Sequence, residues 1–331
     1  VKAVVYIRIK NMSIFEKSLQ NVKIDTTQVH ENMQVTPLFL EIPGNKDYLI
    51  LDEAIKEKVA RIMEVSEAGN VPELKFVNSS TTSILLLDGE ELIGAKQNRI
   101  VNLTILVGPE RTITIPVSCV EAGRWQHNSR EFETSERTLY SNVRASKAQD
   151  VSDSMKHSGS RESDQGDLWG HINAKMNKMQ SHSETSAMSQ IFDDNKHSLD
   201  DYVSAFSFQQ NQCGAIFSID GIIKGLEIFD NENTYQMLMN KLLRSYALDA
   251  LETLEKFKEE KANPKMTSQA EAQLFLDSLS DAPIEEFPGT DQGTDIRFDS
   301  EDLSGGGLVH QDKLIHLCVF PTDVKQAQTY N

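Results

Sequence analysis

Long apolar runs and cysteines are both scarce in this chain of 331 residues. No stretch approaches the roughly 20 consecutive apolar residues that a membrane-spanning helix needs, so the sequence predicts no membrane partner. Three cysteines, Cys119, Cys213 and Cys318, are too few and too scattered for a disulfide framework. The opening VKAVVYIRIK has no small-residue cleavage site typical of a secretory signal. We therefore expect a cytoplasmic protein with reduced thiols.

Basic residues are also few in comparison with acidic residues. The chain has 33 lysines and arginines against 50 acidic residues, which gives a formal net charge of −17. Such a surface repels nucleic acid and anionic lipid, and this argues against both as partners. The apolar content of 39% and the aromatic content of 7% are those of an ordinary globular protein, long enough to bury one large core or two modest ones.

One segment reverses this charge balance. Residues 96–147 hold five acidic residues but eight basic ones, which are Lys96, Arg99, Arg111, Arg124, Arg130, Arg137, Arg144 and Lys147. A locally cationic stretch in an acidic protein favours a small anionic ligand over a polymer, and we predict such a ligand as the partner. Chance fluctuation together with solvated helix faces is the alternative explanation.

Several signatures of catalysis and cofactor binding are missing as well. The sequence contains no HExxH, GxSxG, Walker A or GxGxxG motif. The eight histidines show no spacing typical of metal ligands. We therefore predict no metal site, while the cofactor and the oligomeric state stay unknown at the level of sequence.

Alternation of apolar and polar residues dominates the first half of the chain. VTPLFLEI, VARIMEV, ELKFVN and SILLL have the composition of strands, and in RTITIPVSCVE the apolar side chains recur on one face. After residue 145 the composition becomes polar and helical. We predict an α+β fold, with a β-rich part over residues 35–128 and a helix-rich part with further β-hairpins over residues 129–320.

Two Asp-Gly dipeptides between apolar runs predict β-hairpins. Asp88-Gly89 and Asp220-Gly221 suit a type I′ turn, which needs positive φ at both central positions, and the simplest interpretation of Asp88 is a role in that turn. A long helix is predicted from about residue 233 to residue 257, with Asn233 as its N-cap. The Ser- and His-rich segments 147–160 and 180–198 are predicted to be connectors.

The stretch LLLDGEELIGAKQNRIVN concentrates polar side chains between two apolar runs. A bend is predicted at Gly94-Ala95, and Lys96, Gln97, Asn98 and Arg99 follow it directly. We predict that these four residues bind a ligand, because the two cations can hold an anion and the two amides can contact polar edges. A solvated loop is the alternative.

Three glutamates are candidates for chemistry. Glu90 and Glu91 are neighbours on a strand and point to opposite faces, so at most one of them faces a given site. In CVEAGRW, Glu121 extends the core-facing row of a strand, where a carboxylate must be paired or its pKa rises. We predict acid–base roles for these glutamates and ligand contacts for Arg124 and Trp125. A structural ion pair is the alternative for Glu121 with Arg124.

The stretch RESDQGDLW lies at the predicted start of a helix. Ser163 or Asp164 is the expected N-cap, and Arg161 precedes it. A helix N-terminus beside an arginine readily binds phosphate. We therefore predict that Arg161, Asp164 and Gln165 contact a ligand, with plain helix capping as the alternative, above all for Asp164.

Four separated stretches, in this order and spacing, resemble one bacterial and archaeal family. They are LLLDGEELIGAKQNR, IPVSCVEAGRW, SRESDQGDLW and LLRSYALDAL, and the family is the ARG-and-rhodanese-phosphatase-superfamily-associated protein domain. The resemblance covers residues 12–320 and leaves 1–11 and 321–331 as tails. It implies an α+β domain with a Glu-x-Gly-charged-aromatic signature, which here matches Glu121, Gly123, Arg124 and Trp125.

The resemblance also implies a functional setting. The family is associated through gene neighbourhood with ADP-ribosylglycohydrolases and phosphatase-like proteins, which implies a role around ADP-ribose, NAD or nucleotide derivatives. Our leading hypothesis is one pocket shared by the three stretches, which binds a phosphorylated anion and processes it if Glu121 acts as an acid or base. A non-catalytic binder or adaptor is the second hypothesis. A structural component of a multi-enzyme assembly is the third.

Overall fold

The computed structural model describes residues 14–67, 69–125, 129–259 and 265–322. The fold is α+β, as predicted, with helices and strands intermixed along the chain. The strands in chain order are β1 (Val22–Ile24), β2 (Gln28–His30), β3 (Met33–Leu40), β4 (Tyr48–Ile50), β5 (Ala60–Glu64), β6 (Glu73–Asn78), β7 (Ser83–Leu86), β8 (Glu90–Gly94), β9 (Arg99–Val101), β10 (Ile105–Val107), β11 (Thr112–Cys119), β12 (Phe132–Thr138), β13 (Gln212–Ile219), β14 (Ile222–Phe229), β15 (Ile284–Pro288), β16 (Thr294–Asp299), β17 (Leu303–His310) and β18 (Lys313–Pro321).

The helices are concentrated in the middle of the chain. They are α1 (Ile14–Gln20), α2 (Leu51–Lys56), α3 (Ser141–His157), α4 (Gln165–Lys178), α5 (Met188–Asp194), α6 (Lys196–Ala205), α7 (Glu232–Glu259) and α8 (Gln269–Ser278), with a 3₁₀ turn at Leu279–Asp281. None of these described helices combines the length and the apolar composition that crossing a lipid bilayer requires.

An antiparallel sheet of nine strands forms the largest layer. Its order is β1-β3-β13-β14-β18-β17-β16-β15, and β2 pairs with the first part of β3. The sheet thus joins strands from both parts of the predicted domain. The interior strand β13 is buried on both faces, because Ala215 and Phe217 pack toward α7 while Ile216 packs on the side of α1 and α8.

Two smaller sheets contain the other strands of the described chain. One has six strands in the order β12-β8-β9-β11-β6-β5, and the other has three in the order β10-β7-β4. They share a second apolar core with α2, to which Leu51, Phe76 and Ile115 belong. The stretch from Arg99 to Val107, which looks like one strand in sequence, is split between the two sheets as β9 and β10.

The Asp220-Gly221 hairpin is confirmed. It joins β13 to β14, with Ile219 opposite Ile222. Asp220 and Gly221 have φ of +52° and +70°, as a type I′ turn requires. A short local reversal between two apolar runs is therefore predicted well by turn chemistry, since the two strands that it joins also pair with each other.

The prediction of a hairpin at Asp88-Gly89 is wrong. The strand before it, β7, pairs with β10 and β4, whereas the strand after it, β8, pairs with β9 and β12. Gly89 has φ of +75°, while Asp88 does not have positive φ. The carboxylate of Asp88 instead accepts hydrogen bonds from Arg144 Nε (3.1 Å) and Lys147 Nζ (2.6 Å). The turn therefore connects two sheets, and Asp88 serves a distant charge network.

The long helix is confirmed as α7, with a corrected N-cap. The helix begins at Glu232, and the backbone N–H of Thr234 donates to Oδ1 of Asn231 (2.9 Å), so Asn231 takes the capping position predicted for Asn233. Its buried residues include Tyr235 and Leu242 and lie along the first five turns. This face covers the large sheet through contacts with β13.

The predicted connectors are wrong, because most of their residues are helical. Residues 147–157 belong to α3, and residues 188–194 and 196–198 belong to α5 and α6. Four of the eight buried residues of α3 are polar or charged, among them Arg144, Lys147 and Ser152, so its apolar residues alone form an incomplete stripe in the sequence. These polar groups are buried because each finds a partner in the sheets beneath the helix.

A buried charge network connects α3, the large sheet and the β7–β8 turn. Arg144 donates from Nη1 to Oε1 of Glu227 on β14 (2.5 Å), in addition to its bond with Asp88. The other oxygen of Glu227 contacts His316 Nε2 (3.1 Å). Burial alone would lower the pKa of Arg144, but Glu227 and Asp88 outweigh burial and raise it. Arg144 is therefore held as a cation by carboxylates from two layers.

We predict that Arg144→Met lowers the free energy of unfolding by about 3–5 kcal/mol, because it leaves the buried carboxylates of Glu227 and Asp88 short of a counter-charge. Urea denaturation measures this loss. Lys196→Met is the control, since Lys196 forms an exposed pair with Asp200 and should cost no more than about 1 kcal/mol. Equal losses in the two variants would contradict the central place given to Arg144.

Candidate functional site

The β8–β9 hairpin presents the polar loop of residues 95–98. The predicted bend is present, with φ of +135° at Gly94 and +39° at Ala95. A Cβ atom on Gly94 would lie 2.7 Å from Ser129 Oγ, so only glycine fits there. Beyond the loop, Arg99 begins β9 directly opposite Leu92. The hairpin thus places four consecutive polar residues beside the end of β11.

Glu121 lies two residues beyond β11 and accepts four hydrogen bonds. Arg124 donates from Nε to Oε1 (2.9 Å) and from Nη2 to Oε2 (2.7 Å). The N–H of Asn98 donates to Oε2 (3.1 Å), and Thr185 Oγ1 donates to Oε1 (2.9 Å). Burial would raise the pKa of Glu121, but the hydrogen bonds outweigh it and the pKa is lowered. Glu121 is therefore an anion with both oxygens engaged.

Arg124 extends this arrangement to the polar loop. Its Nη1 donates to the carbonyl oxygen of Ala95 (2.7 Å), and its Nη2 donates to Oδ1 of Asn98 (3.1 Å). The Glu121–Arg124 pair thus fastens the loop to the end of β11. This geometry favours the structural interpretation of the pair, while the acid–base role of Glu121 stays a prediction.

Arg99 is fully buried, with 0% of its surface exposed. Its Nη1 donates to Gln97 Oε1 (3.0 Å), but Nε and Nη2 find no hydrogen-bond partner in the described ranges. Burial lowers the pKa of Arg99, because the opposing influence of Cys119 and Glu64 is weaker. Arg144, by contrast, donates to two carboxylates and has a raised pKa. Arg99 keeps one edge of its guanidinium group without an acceptor among the described residues.

Cys119 faces Arg99 across the sheet, since the two residues are paired on β11 and β9. Its thiol donates to Gln97 Oε1 (3.1 Å), and burial raises the pKa of the thiol against the influence of Arg99 and Trp169. The indole group of Trp169 lies beside this thiol and interacts with it, which opposes the effect of burial on the thiol pKa. Trp169 therefore helps to enclose the side of Arg99 on which Cys119 lies.

Gln165 ties α4 to this site. Its side-chain amide accepts from the backbone N–H of Cys119 (2.8 Å) and donates to the carbonyl oxygen of Cys119 (2.8 Å). The amide thus bonds to β11 as a neighbouring strand would. Gln165 and Trp169 lie four residues apart on α4, so both side chains face β11.

Trp125 covers the site from outside. Its side chain is 46% exposed, and its ring centroid lies 5.8 Å from Cζ of Arg99 and 5.2 Å from Nζ of Lys96. Gly69 approaches the same ring, since a Cβ atom there would lie 3.3 Å from Trp125 Cζ2. A half-exposed aromatic ring over a buried guanidinium is an arrangement that can hold a flat ligand next to a charge.

The other two predicted glutamates bind side chains that do not belong to the Arg99 site. Glu90 accepts a hydrogen bond from Lys241 Nζ on α7 (2.5 Å), and burial outweighs Lys241 so that the pKa of Glu90 is raised. Glu91 accepts from Ser135 Oγ on β12 (3.0 Å), and burial raises its pKa to about 7 despite the nearby Arg137. The two neighbours have separate partners, and their catalytic roles stay predictions.

Arg161 and Asp164 also have partners of their own. Arg161 donates from Nη2 to the carbonyl oxygen of Pro288 (2.5 Å), with its Nε 3.6 Å from Asp295 Oδ2. Asp164 is the N-cap of α4, as expected, and accepts from the N–H of Asp167 (3.0 Å). Of the stretch RESDQGDLW, the side chains of Gln165 and Trp169 contact Cys119, which is paired with Arg99, and Ser163 Oγ bonds to the neighbouring Ser118 Oγ (2.6 Å).

The structure therefore brings together most of the predicted ligand-binding residues. These are Lys96, Gln97, Asn98, Arg99, Arg124, Trp125 and Gln165, with the predicted acid Glu121 among them. Trp169 was missed, although its position one helical turn after Gln165 is a usable signal. Thr185 was also missed, because it reaches Glu121 through a loop contact that no local pattern indicates.

A group of three possible metal ligands lies elsewhere. Ligand atoms of Glu227, His316 and Cys318 lie within 4.8 Å of one another and are buried. Arg144 already donates to Glu227, and Thr104 bonds to Nδ1 of His316 (2.7 Å). A metal ion there would displace these bonds and meet the Arg144 cation, so the donor set suits the charge network better than a metal.

Fold and site together define an α+β protein in which a buried, incompletely bonded arginine lies beneath an exposed tryptophan. The chain belongs to the family of the ARG and Rhodanese-Phosphatase-superfamily-associated Protein domain, whose model matches residues 21–320. This match confirms the family indicated by the four sequence stretches. No curated protein and no solved structure matches the chain.

We predict that Glu121→Gln lowers the free energy of unfolding by about 1–3 kcal/mol, because a neutral amide cannot satisfy the donors of Arg124, Asn98 and Thr185 together. Chemical denaturation at pH 7 measures the loss. Glu133→Gln on β12 is the matched control, since Glu133 is exposed and should change stability little. An unchanged stability of the Glu121 variant would argue against the structural interpretation.

The Glu121→Gln variant also gives a prediction for the pH dependence of stability. The pKa of Glu121 is lowered from 4.5 in the folded chain, so its stabilising contribution is complete above the unfolded pKa and is lost as the pH falls through the folded pKa. The stability difference between wild type and Glu121→Gln should therefore be constant near neutral pH and shrink below about pH 4.5. A difference that grows on acidification would contradict the lowered pKa.

Proposed function

We propose that the chain binds a small phosphorylated anion of the ADP-ribose or nucleotide-derived class at Arg99. The observation that carries this proposal is the guanidinium group of Arg99, which is fully buried while Nε and Nη2 have no acceptor among the described residues. A buried donor without a partner costs about 1–3 kcal/mol, and more when it is charged. A ligand oxyanion at this edge would remove that cost.

The geometry of the free edge supports a phosphate. Nε and Nη2 lie on the same edge of the planar guanidinium group, so two oxygens of one phosphate can accept from both at once. The free edge of Arg99 therefore suits one phosphate group that is bound through two of its oxygens.

Trp125 supports a ligand that also carries a flat ring. Its half-exposed side chain lies over Arg99, where a base or nicotinamide ring can stack on the indole while the phosphate reaches the guanidinium group. Arg99 itself has no exposed surface, so we expect Trp125 to move aside when the ligand enters. The description of the family, which names a phosphatase superfamily, agrees with a phosphorylated ligand.

The residues around Arg99 support binding more than catalysis. Both oxygens of Glu121 are engaged by donors, and the thiol of Cys119 has a raised pKa, which makes it a poor nucleophile. We therefore propose a binding module or adaptor as the form that this function takes, in preference to an enzyme. A ligand that is turned over during incubation would favour the enzymatic alternative.

We predict that millimolar ADP-ribose and pyrophosphate stabilise the wild type, by about 2.7 kcal/mol when the ligand is at 100 times its Kd. Arg99→Gln should abolish this response. Without ligand, the variant should be as stable as the wild type or more stable, because it loses a buried charge that the nearby Glu64 and Glu121 only partly offset. Thermal unfolding with and without each ligand measures both effects.

Two other arginines provide the controls. Arg161→Gln tests the predicted contribution of Arg161, whose side chain lies beside Pro288 and Asp295, and Arg244→Gln removes a partly buried arginine that is paired with Asp200. Both should keep the ligand response. A wild type that does not respond to either ligand, or an Arg99 variant that responds normally, would contradict the proposed site.

A further inference from the structure

A cavity of about 660 Å³ lies at one end of the large sheet and shares no lining residue with the Arg99 site. It is bounded by α1, by the loop after β3, by the end of β14 and by the start of β18. Its apolar wall is formed by Ile14, Leu40, Ile42, Pro43, Ile228 and Leu314. The volume lies within the range of about 300–1,000 Å³ that is usual for small-molecule sites.

A buried carboxylate forms part of this lining. Asp230 is only 4% exposed, and its Oδ1 accepts hydrogen bonds from Tyr48 Oη (2.5 Å) and Asn231 Nδ2 (2.7 Å). Its Oδ2 is buried without a donor in the described parts of the chain. Burial raises the pKa of Asp230 to about 6, so the group is mostly ionised at pH 7.5. One carboxylate oxygen is therefore held in place and left without a partner.

The cations near the cavity do not pair with this oxygen. Lys17 and Lys313 both contribute to the lining, but the ammonium group of Lys313 lies 3.4 Å from Asp47. Neither lysine donates a hydrogen bond to Oδ2 of Asp230 within the described ranges, and the charge of Lys313 offsets only a small part of the effect of burial on the pKa of Asp230. A buried carboxylate beside apolar walls is thus short of positive charge and of a hydrogen-bond donor.

The loop after β3 closes over the carboxylate. The N–H of Gly44 donates to the carbonyl oxygen of Asp230 (2.6 Å), and a Cβ atom on Gly44 would lie 3.2 Å from Oδ2. A group that bonds to Oδ2 must therefore approach along the edge of this loop. Binding should shift residues 42–45, whose exposed Ile42 lies at the cavity mouth.

We propose that this cavity binds a small molecule with a protonated amine and an apolar body. The ammonium group would donate to Oδ2 of Asp230 and neutralise it, while the apolar body would cover Leu40 and Ile228. The site is independent of the proposed anion site and takes a ligand of opposite charge. Tight binding requires both the cation and the apolar group of the ligand, because the carboxylate alone or the apolar wall alone would bind a ligand weakly.

Three probes of nearly equal shape test the requirement for charge. Phenethylamine, 2-phenylethanol and 3-phenylpropionate differ mainly in the charge of the terminal group, and titration at pH 7.5 with protein-observed NMR measures their affinities. The amine should bind about tenfold more tightly than the alcohol, as expected for a hydrogen bond to a charged group, and should shift the resonances of residues 42–45. Equal affinities, or no binding of the amine, would overturn the proposal.

Variants then locate the binding. Asp230→Asn should reduce the amine to the affinity of the alcohol. Because this change also disturbs Tyr48 and Asn231, Ser18→Phe provides a second variant, which fills the cavity from α1 and keeps the Asp230 carboxylate, and it should abolish binding of both probes. Arg99→Gln should leave amine binding unchanged. Normal binding to the Ser18 variant would overturn the proposal, whatever the outcome at the anion site.

Discussion

The contact between Arg144 and Glu227 is the interaction on which the arrangement of layers depends. Arg144 belongs to α3 and Glu227 to β14, while the second partner of Arg144, Asp88, lies at the junction of the two smaller sheets. Each of these charges would be costly to bury alone. Together they require the helix, the large sheet and the junction to meet in one orientation, so they give the packing of the layers a specificity that apolar contacts do not provide.

The two fully buried arginines, Arg144 and Arg99, show what this requirement means for function. Arg144 is surrounded by carboxylates, and its pKa is raised accordingly. Arg99 lies on a hairpin that Glu121 and Arg124 hold in place, but neither of these groups neutralises it. The loop is therefore rigid while its central charge is unbalanced. A rigid frame around an unbalanced charge is the arrangement expected of a preorganised binding site.

Local elements were predictable from sequence, whereas their partners were not. The Asp220-Gly221 hairpin and the long helix α7 follow from turn chemistry and from a 3.6-residue period, which both act over neighbouring residues. Asp88 was misassigned because its carboxylate bonds to a helix more than 50 residues away. In α3 four of the eight buried residues are polar or charged, so the periodicity of apolar residues is too weak to reveal the helix.

The candidate site likewise combines local features, which could be predicted from sequence, with distant contacts, which could not. Residues 96–99 and the Glu121–Arg124 pair could be grouped because the motifs are short and adjacent to strand ends. The contribution of Thr185 could not be predicted, since it depends on an isolated bridge between Glu121 and Ala187. The direction of the Arg161 side chain depends on β15 and β16, which come more than 120 residues later.

The double hydrogen bond of Gln165 to Cys119 has a consequence beyond the site. At Cys119 one side of β11 pairs with β9, and the other side would be an open strand edge without the glutamine amide. Open edges invite pairing with strands of other molecules and thereby aggregation. The side chain of Gln165 thus occupies the hydrogen-bonding groups on the open edge of β11 at Cys119. It protects this part of β11 from pairing with strands of other molecules, without an additional strand.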